Sequence, residues 1–135
     1  MFCYNHKLRV RYGETDKMGV VYHGIYPLYY EEARTEMLRS VGLSYAELER
    51  QGVMMPVREM HVKYTAPAHY DDLLTVCVEI RQMPGARAVF HHRIQNQEGK
   101  LLNEAELTLV FVSMATGSPC RAPQAFTDVL KPYFD

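Results

Sequence analysis

Asp16 and His23 fall within one short segment, Tyr12-Gly-Glu-Thr-Asp-Lys-Met-Gly-Val-Val-Tyr-His23, which ends where the only long helical pattern of the chain begins. A carboxylate can act as nucleophile or general base, and an imidazole can orient or polarise a reacting group. The opening turn of a helix leaves backbone N–H groups unpaired and carries partial positive charge. It can therefore hold an anion, or an oxygen that is becoming one. An acid beside such amides makes a plausible catalyst. Without chemistry, the same residues read as a surface-turn acid and a packed or capping histidine.

The helix that must position them is expected from about Tyr26 to Val41. Tyr26, Tyr29, Tyr30, Ala33, Met37 and Val41 recur at the three/four spacing of one face, and Glu31, Glu32, Arg34, Thr35 and Glu36 fill the rest. Pro27 suits a first turn, where a missing N–H costs nothing, and Gly42 suits the position just past the end. Lys7 to Tyr12 alternates, with Leu8, Val10 and Tyr12 on one side, which predicts a half-buried strand. Ser44 followed by Glu47 predicts a capped short helix ended by Gly52. Val57 to Thr65 predicts a strand with Met60, Val62 and Tyr64 inward, and Leu74 to Ile80 predicts another. Met83-Pro-Gly-Ala86 has the residues of a type II turn, so Arg87 to Gln95 should return beside the previous strand. Asn96 to Lys100 turns the chain again into a long strand, Leu101 to Met114. One long apolar helix with consecutive antiparallel strands predicts an α+β arrangement, the helix covering one sheet face.

At 135 residues the chain fits a single domain over 1–135. A formal net charge of −1 with no basic stripe excludes nucleic acid as the main partner. Cys3, Cys77 and Cys120 show no CxxC spacing, and their odd count argues against a disulfide framework and for a cytoplasmic setting. The N-terminal residues lack the apolar core of a signal peptide, and no stretch approaches the roughly 18 apolar residues of a membrane span. Cys77, flanked by Val76 and Val78 with no cationic neighbour in the sequence, reads as an inert thiol. His91 and His92 are adjacent in a strand and point to opposite faces, so they do not chelate one ion, and no metal site is expected.

With Arg11-Tyr-Gly-Glu-Thr-Asp16, Gly19-Val-Val-Tyr-His23, Tyr26, Glu32-Ala-Arg34, Tyr64, Ala66-Pro-Ala68 and Asp71-Asp-Leu73 in view, the chain resembles the hotdog-fold thioesterases. Within them it is most similar to the 4-hydroxybenzoyl-CoA thioesterase/YbgC-like group, over nearly its whole length. The resemblance implies an antiparallel sheet wrapped around the long helix and joined across a homodimer into one continuous sheet. Two dimers often form a homotetramer, and the active sites lie at the dimer interface. The implied activity is hydrolysis of an acyl-CoA thioester without a cofactor; an acyl carrier protein is a further possible partner.

The resemblance places the catalytic acid on Asp16 and a Tyr-His pair on Tyr22 and His23. Where many relatives have Asp-Thr-Asp, this chain has Glu14-Thr15-Asp16, and the catalytic position is the second acid. The backbone N–H at or just after His23 would face the thioester oxygen. An Asp16 ionised at neutral pH would be nucleophile or general base, and both roles stay open. A thiolate leaves readily without a strong acid, so His23 would orient or polarise. Tyr26 and Tyr30 would line the acyl pocket, although a helix face of tyrosines also suits core or dimer packing. Arg87 and Arg121 fall where relatives place cations for the nucleotide end of CoA. Glu31 and Glu32 read as solvated or salt-bridged. The rival activities are acyl-ACP thioesterase and enoyl-thioester hydratase, and the rival of another class is a non-catalytic acyl-thioester binding module.

Overall fold

The computed structural model describes residues 1–134. Strand β1 (Phe2–Arg9) leads through a loop into helix α1 (Tyr26–Ser40) and a short α2 (Tyr45–Arg50), followed by β2 (Val53–Met54), β3 (Val57–Tyr64) and β4 (Leu73–Ile80). Then come β5 (Arg87–Gln95), β6 (Leu101–Ser113), β7 (Pro119–Cys120) and α3 (Gln124–Leu130). The main sheet is antiparallel in the order β1-β4-β5-β6-β3, and β2 and β7 pair with the far end of β6.

Helix α1 forms where the spacing predicts it. Pro27 sits in its first turn, and Tyr26, Tyr29, Tyr30, Ala33 and Met37 are buried. Gly42, at φ +83°, ends it in the left-handed conformation. The Gly42 and Leu43 N–H groups donate to the Arg39 and Leu38 carbonyls at 3.0 and 2.9 Å, which satisfies two last-turn acceptors. Ser44 caps α2 as expected, its hydroxyl accepting from the Glu47 N–H at 3.1 Å. The Glu47 carboxylate pairs with Arg50 instead of closing a capping box.

Helix α1 packs across β1 and β4 and reaches β5, where the Tyr30 ring lies 4.8 Å from that of His92. Leu74, Val76, Val78 and Ile80 of β4, Phe90 and Ile94 of β5, and Leu107 and Leu109 of β6 complete this core. Each large apolar side chain so buried contributes roughly 1.5–3 kcal/mol against the entropy of ordering the chain. No helix among the described residues is long and apolar enough to cross a membrane.

Several elements differ from expectation for identifiable reasons. The first strand starts at Phe2 and ends at Arg9, and Tyr12 is exposed in a 3-10 turn, because the chain leaves the sheet to build the loop. In β3 the facing is as expected but the burial is not. Val62 is half-buried, whereas Met60 and Tyr64 are 41% and 51% exposed, because β3 is an edge strand that α1 approaches only through Tyr26, 5.7 Å from the Tyr64 ring. The chain does return after Met83-Pro-Gly-Ala86, but Gly85 lacks the positive φ of a type II turn. Its carbonyl instead accepts the Ala122 N–H at 2.7 Å, docking the segment after β7. Helix α3 was unexpected. It buries Phe126 and Leu130, with Phe126 6.0 Å from Phe111 between ring centres. Cys77 does have a cationic neighbour, since Arg93 Nη2 lies 3.8 Å from its sulfur and Cys3 Sγ lies 3.4 Å away across the strand pair.

His92 is buried on the inner face, and neither ring nitrogen has a hydrogen-bond partner among the described residues. Burial first, then the nearby Arg34 and His91 charges, push it from 6.5 down to about 3. A histidine held neutral in the fold contributes stability above its unfolded value, and that stability is lost as pH falls from 6.5 toward 3. Lowering the pH from 7 to 5 is therefore expected to cost about 2 kcal/mol at this residue. Urea midpoints at the two pH values should show that loss in the wild type, with a flatter response in His92→Leu. Equal slopes would contradict it.

Candidate active site

The loop between β1 and α1 is a tight reversal. Thr15 bridges Val21, the Asp16 N–H donates to the Val20 carbonyl at 2.9 Å, and the Gly19 N–H donates back to the Asp16 carbonyl at 3.0 Å. Gly19 makes the turn with φ +79°, which few other residues adopt without strain. Asp16 is half-buried, and its Oδ1 accepts the Met18 N–H at 2.9 Å. Its other oxygen has no protein partner among the described residues. The far limb is pinned to the segment before β4, where the Val21 N–H donates to the Ala68 carbonyl at 2.9 Å and Val20 bridges His69.

Tyr22, His23 and the helix start follow directly. A 3-10 turn over His23–Ile25 precedes α1, and the His23 and Gly24 N–H groups have no acceptor among the described residues. These are unpaired donors of the kind a helix opening provides. The exposed Tyr22 and His23 rings lie 4.4 Å apart. Beside them is an apolar cleft of about 270 Å³ whose walls include Val21, His23, Tyr26, Tyr64, Ala66 and Pro67. A larger hollow, about 440 Å³, lies on the outer sheet face among charged side chains such as Lys63, Arg93 and Glu104. No helix opens there, so size does not decide between the two.

His23 and Tyr26 line the apolar cleft, Tyr22 stacks beside His23, and Asp16 sits on the same loop, opposite Val20 across the reversal. Tyr26 is buried at the cleft wall, and its hydroxyl accepts the Ala68 N–H at 3.2 Å. Tyr30, expected in the pocket, lies in the core. It is fully buried and donates to Asn103 Oδ1 at 2.6 Å, because it faces β5 and β6 one turn further along α1. Arg87 and Arg121 are exposed on either side of the Gly85 loop. Through β6, Arg87 lies level with the Val57 end of β3, whereas the cleft is at the Tyr64 end. That separation is about 20 Å at strand spacing.

The residue the sequence did not single out is Glu14. Its side chain is 12% exposed, and its Oε1 accepts the Tyr29 hydroxyl and the Arg11 N–H, both at 2.8 Å. Its Oε2 accepts Arg11 Nη2 at 3.1 Å. Burial would raise this carboxyl, but the Arg11 N–H, the Tyr29 hydroxyl and the Arg11 guanidinium outweigh it and hold it below the ordinary glutamate value. The only sequence signal was the departure from Asp at that position.

One long helix against a continuous antiparallel sheet, with an acidic loop and unpaired amides beside an apolar cleft, defines a hotdog-fold protein of the thioesterase class. Residues 10–130 match the family model described as the Thioesterase-like superfamily, and the chain belongs to that family, in its YbgC-like group. It is 44% identical over 124 residues to the acyl-CoA thioester hydrolase YbgC of Escherichia coli O157:H7, covering 92% of each chain. It is 33% identical to the putative acyl-CoA thioesterase YneP of Bacillus subtilis, covering 90% of this chain and 88% of that one. A DHNA-CoA thioesterase structure from Staphylococcus aureus superposes with a TM-score of 0.89 at 32% identity, covering 98% of this chain and 89% of that one.

Proposed function

We propose that this protein hydrolyses acyl-CoA thioesters to free CoA and a carboxylic acid, with Asp16 as nucleophile or general base and His23 assisting. The reading rests on one juxtaposition, a half-buried carboxylate on a pinned loop that ends at two unpaired N–H groups beside an apolar cleft. Attack on the thioester carbonyl moves charge onto its oxygen, and each preorganised N–H aimed there contributes roughly 3 kcal/mol to the barrier reduction. His23 and Gly24 would supply those donors. The acyl group would lie against Tyr26 and Tyr64, with Tyr22 at the mouth.

In this reading the working unit is a homodimer, or a homotetramer of two dimers, joined along β3. That edge carries exposed Val57, Met60 and Tyr64, an apolar border that suits pairing with a second copy. Antiparallel pairing of two β3 strands would bring the Val57 end of one chain toward the Tyr64 end of the other. Arg87 and Arg121 of the second copy would then lie near the cleft, where guanidinium groups can hold CoA phosphates.

The test is thiol release from short, long and aromatic acyl-CoAs, with the products identified by mass. Release of free CoA and acid, at least about 100-fold above the uncatalysed rate, is expected for one acyl class. A hydroxyacyl-CoA product would indicate a hydratase, and binding without turnover would indicate a ligand-binding module. Either result would overturn the assignment.

A further inference from the structure

We propose that Glu14 is a positioning residue, tying the loop that carries Asp16 to α1 through the Tyr29 hydroxyl and so fixing the acid relative to the helix-opening amides. This rests on Asp16 being the catalytic acid. Three observations carry it. Both Glu14 oxygens are committed to partners within the protein, one to the Tyr29 hydroxyl and the Arg11 N–H and the other to the Arg11 guanidinium, so the carboxylate is tied in place and is not free to react. The backbone of the same residue accepts the Tyr22 N–H at 3.0 Å, which joins the acid-bearing limb of the loop to the limb that ends at His23 and Gly24. Tyr29, itself buried, packs edge-on against Tyr26 at 5.9 Å between ring centres, and Tyr26 forms the cleft wall.

Asp16 is two residues from Glu14, His23 is nine residues away, and Tyr29 is one helical turn beyond Tyr26. A single residue therefore joins the two limbs of the loop through its backbone carbonyl and ties that loop to the cleft-shaping helix through its carboxylate. Its bond to the Tyr29 hydroxyl is charge-assisted and partly buried, so it holds geometry better than a neutral pair would. Rate depends steeply on such geometry, since a misplacement of about 1 Å can cost up to roughly 100-fold.

The test compares Glu14→Gln, Tyr29→Phe, the double variant and Asp16→Asn as full-length proteins, each assayed well below its melting midpoint on the acyl-CoA that the wild type hydrolyses fastest. Glu14→Gln and Tyr29→Phe are each expected to lower kcat about 10-fold with KM within about 2-fold. The double variant should be no worse than about twice the worse single one, because both break the same tie. A merely structural role would lower the melting midpoint and leave kcat per folded molecule unchanged. If both single variants keep wild-type kcat while Asp16→Asn is inactive, Glu14 does not position and the catalytic assignment survives. Losses that multiply in the double variant also overturn the positioning role. If Asp16→Asn keeps full activity, both proposals fall together. Tyr29→Phe retains the buried ring, so the comparison stands even if Glu14→Gln does not fold.

Discussion

Asp16→Asn is expected to reduce thiol release by at least about 100-fold, with secondary structure and melting midpoint unchanged. The substitution keeps an oxygen in place to accept the Met18 N–H, so the turn that shapes the loop survives. What disappears is the negative charge and the capacity to attack a carbonyl or take a proton from water. Because that loss falls in the transition state, kcat and kcat/KM should decline together while KM changes little. His23→Ala should cost less, since a thiolate departs without a strong acid and the backbone donors remain. A near-wild-type Asp16→Asn enzyme would remove the acid from the mechanism.

Phe90→Ala is the largest expected loss of stability, about 3–5 kcal/mol in urea unfolding. Phe90 is fully buried, opposite Ile80 and Leu107 on the neighbouring strands, and the Arg34 guanidinium lies 5.9 Å from its ring centre. Truncation leaves a cavity in the layer between α1 and the sheet and also removes the aromatic face beneath a buried cation. Arg34 Nε and Nη1 have no hydrogen-bond partner among the described residues. A domain of this size has roughly 5–15 kcal/mol in total, and the variant should lose a large part of it. A loss below about 1 kcal/mol would show that the site collapses around the gap.

Much of this architecture was legible because periodicity reports facing directly. The tyrosines of α1, the alternation in β5 and β6 and the Pro27 and Gly42 boundaries all follow from local rules, and the structure keeps them, whereas β4 is buried on both faces from Val76 to Ile80 because Cys77 and Glu79 are covered as well. Facing is not burial, however. Met60 and Tyr64 point to the inner face, but nothing in their own segment says how far α1 extends over it. Helix α3 carries a weaker signal, Phe126 and Leu130 four residues apart, too short a pattern to define a helical face alone. The contacts of Glu14 with Tyr29 and of Cys77 with Arg93 join residues 15 and 16 positions apart. No local pattern encodes such pairs. Tyr30 shows the reverse problem, since the same helix face supplies both a cleft wall at Tyr26 and core packing one turn later.

The uncovered margin of β3 also bears on how a newly made chain survives alone. Unmatched peptide groups beside Met60 and Tyr64 invite any extended segment of a crowded cell to add itself, the first step toward insoluble material. Glu59 and Lys63, charged and exposed on the opposite face, and the irregularity in pairing just after Val57 act as guards there. Neutralising them to make the chain more hydrophobic would trade solubility for nothing the cleft needs.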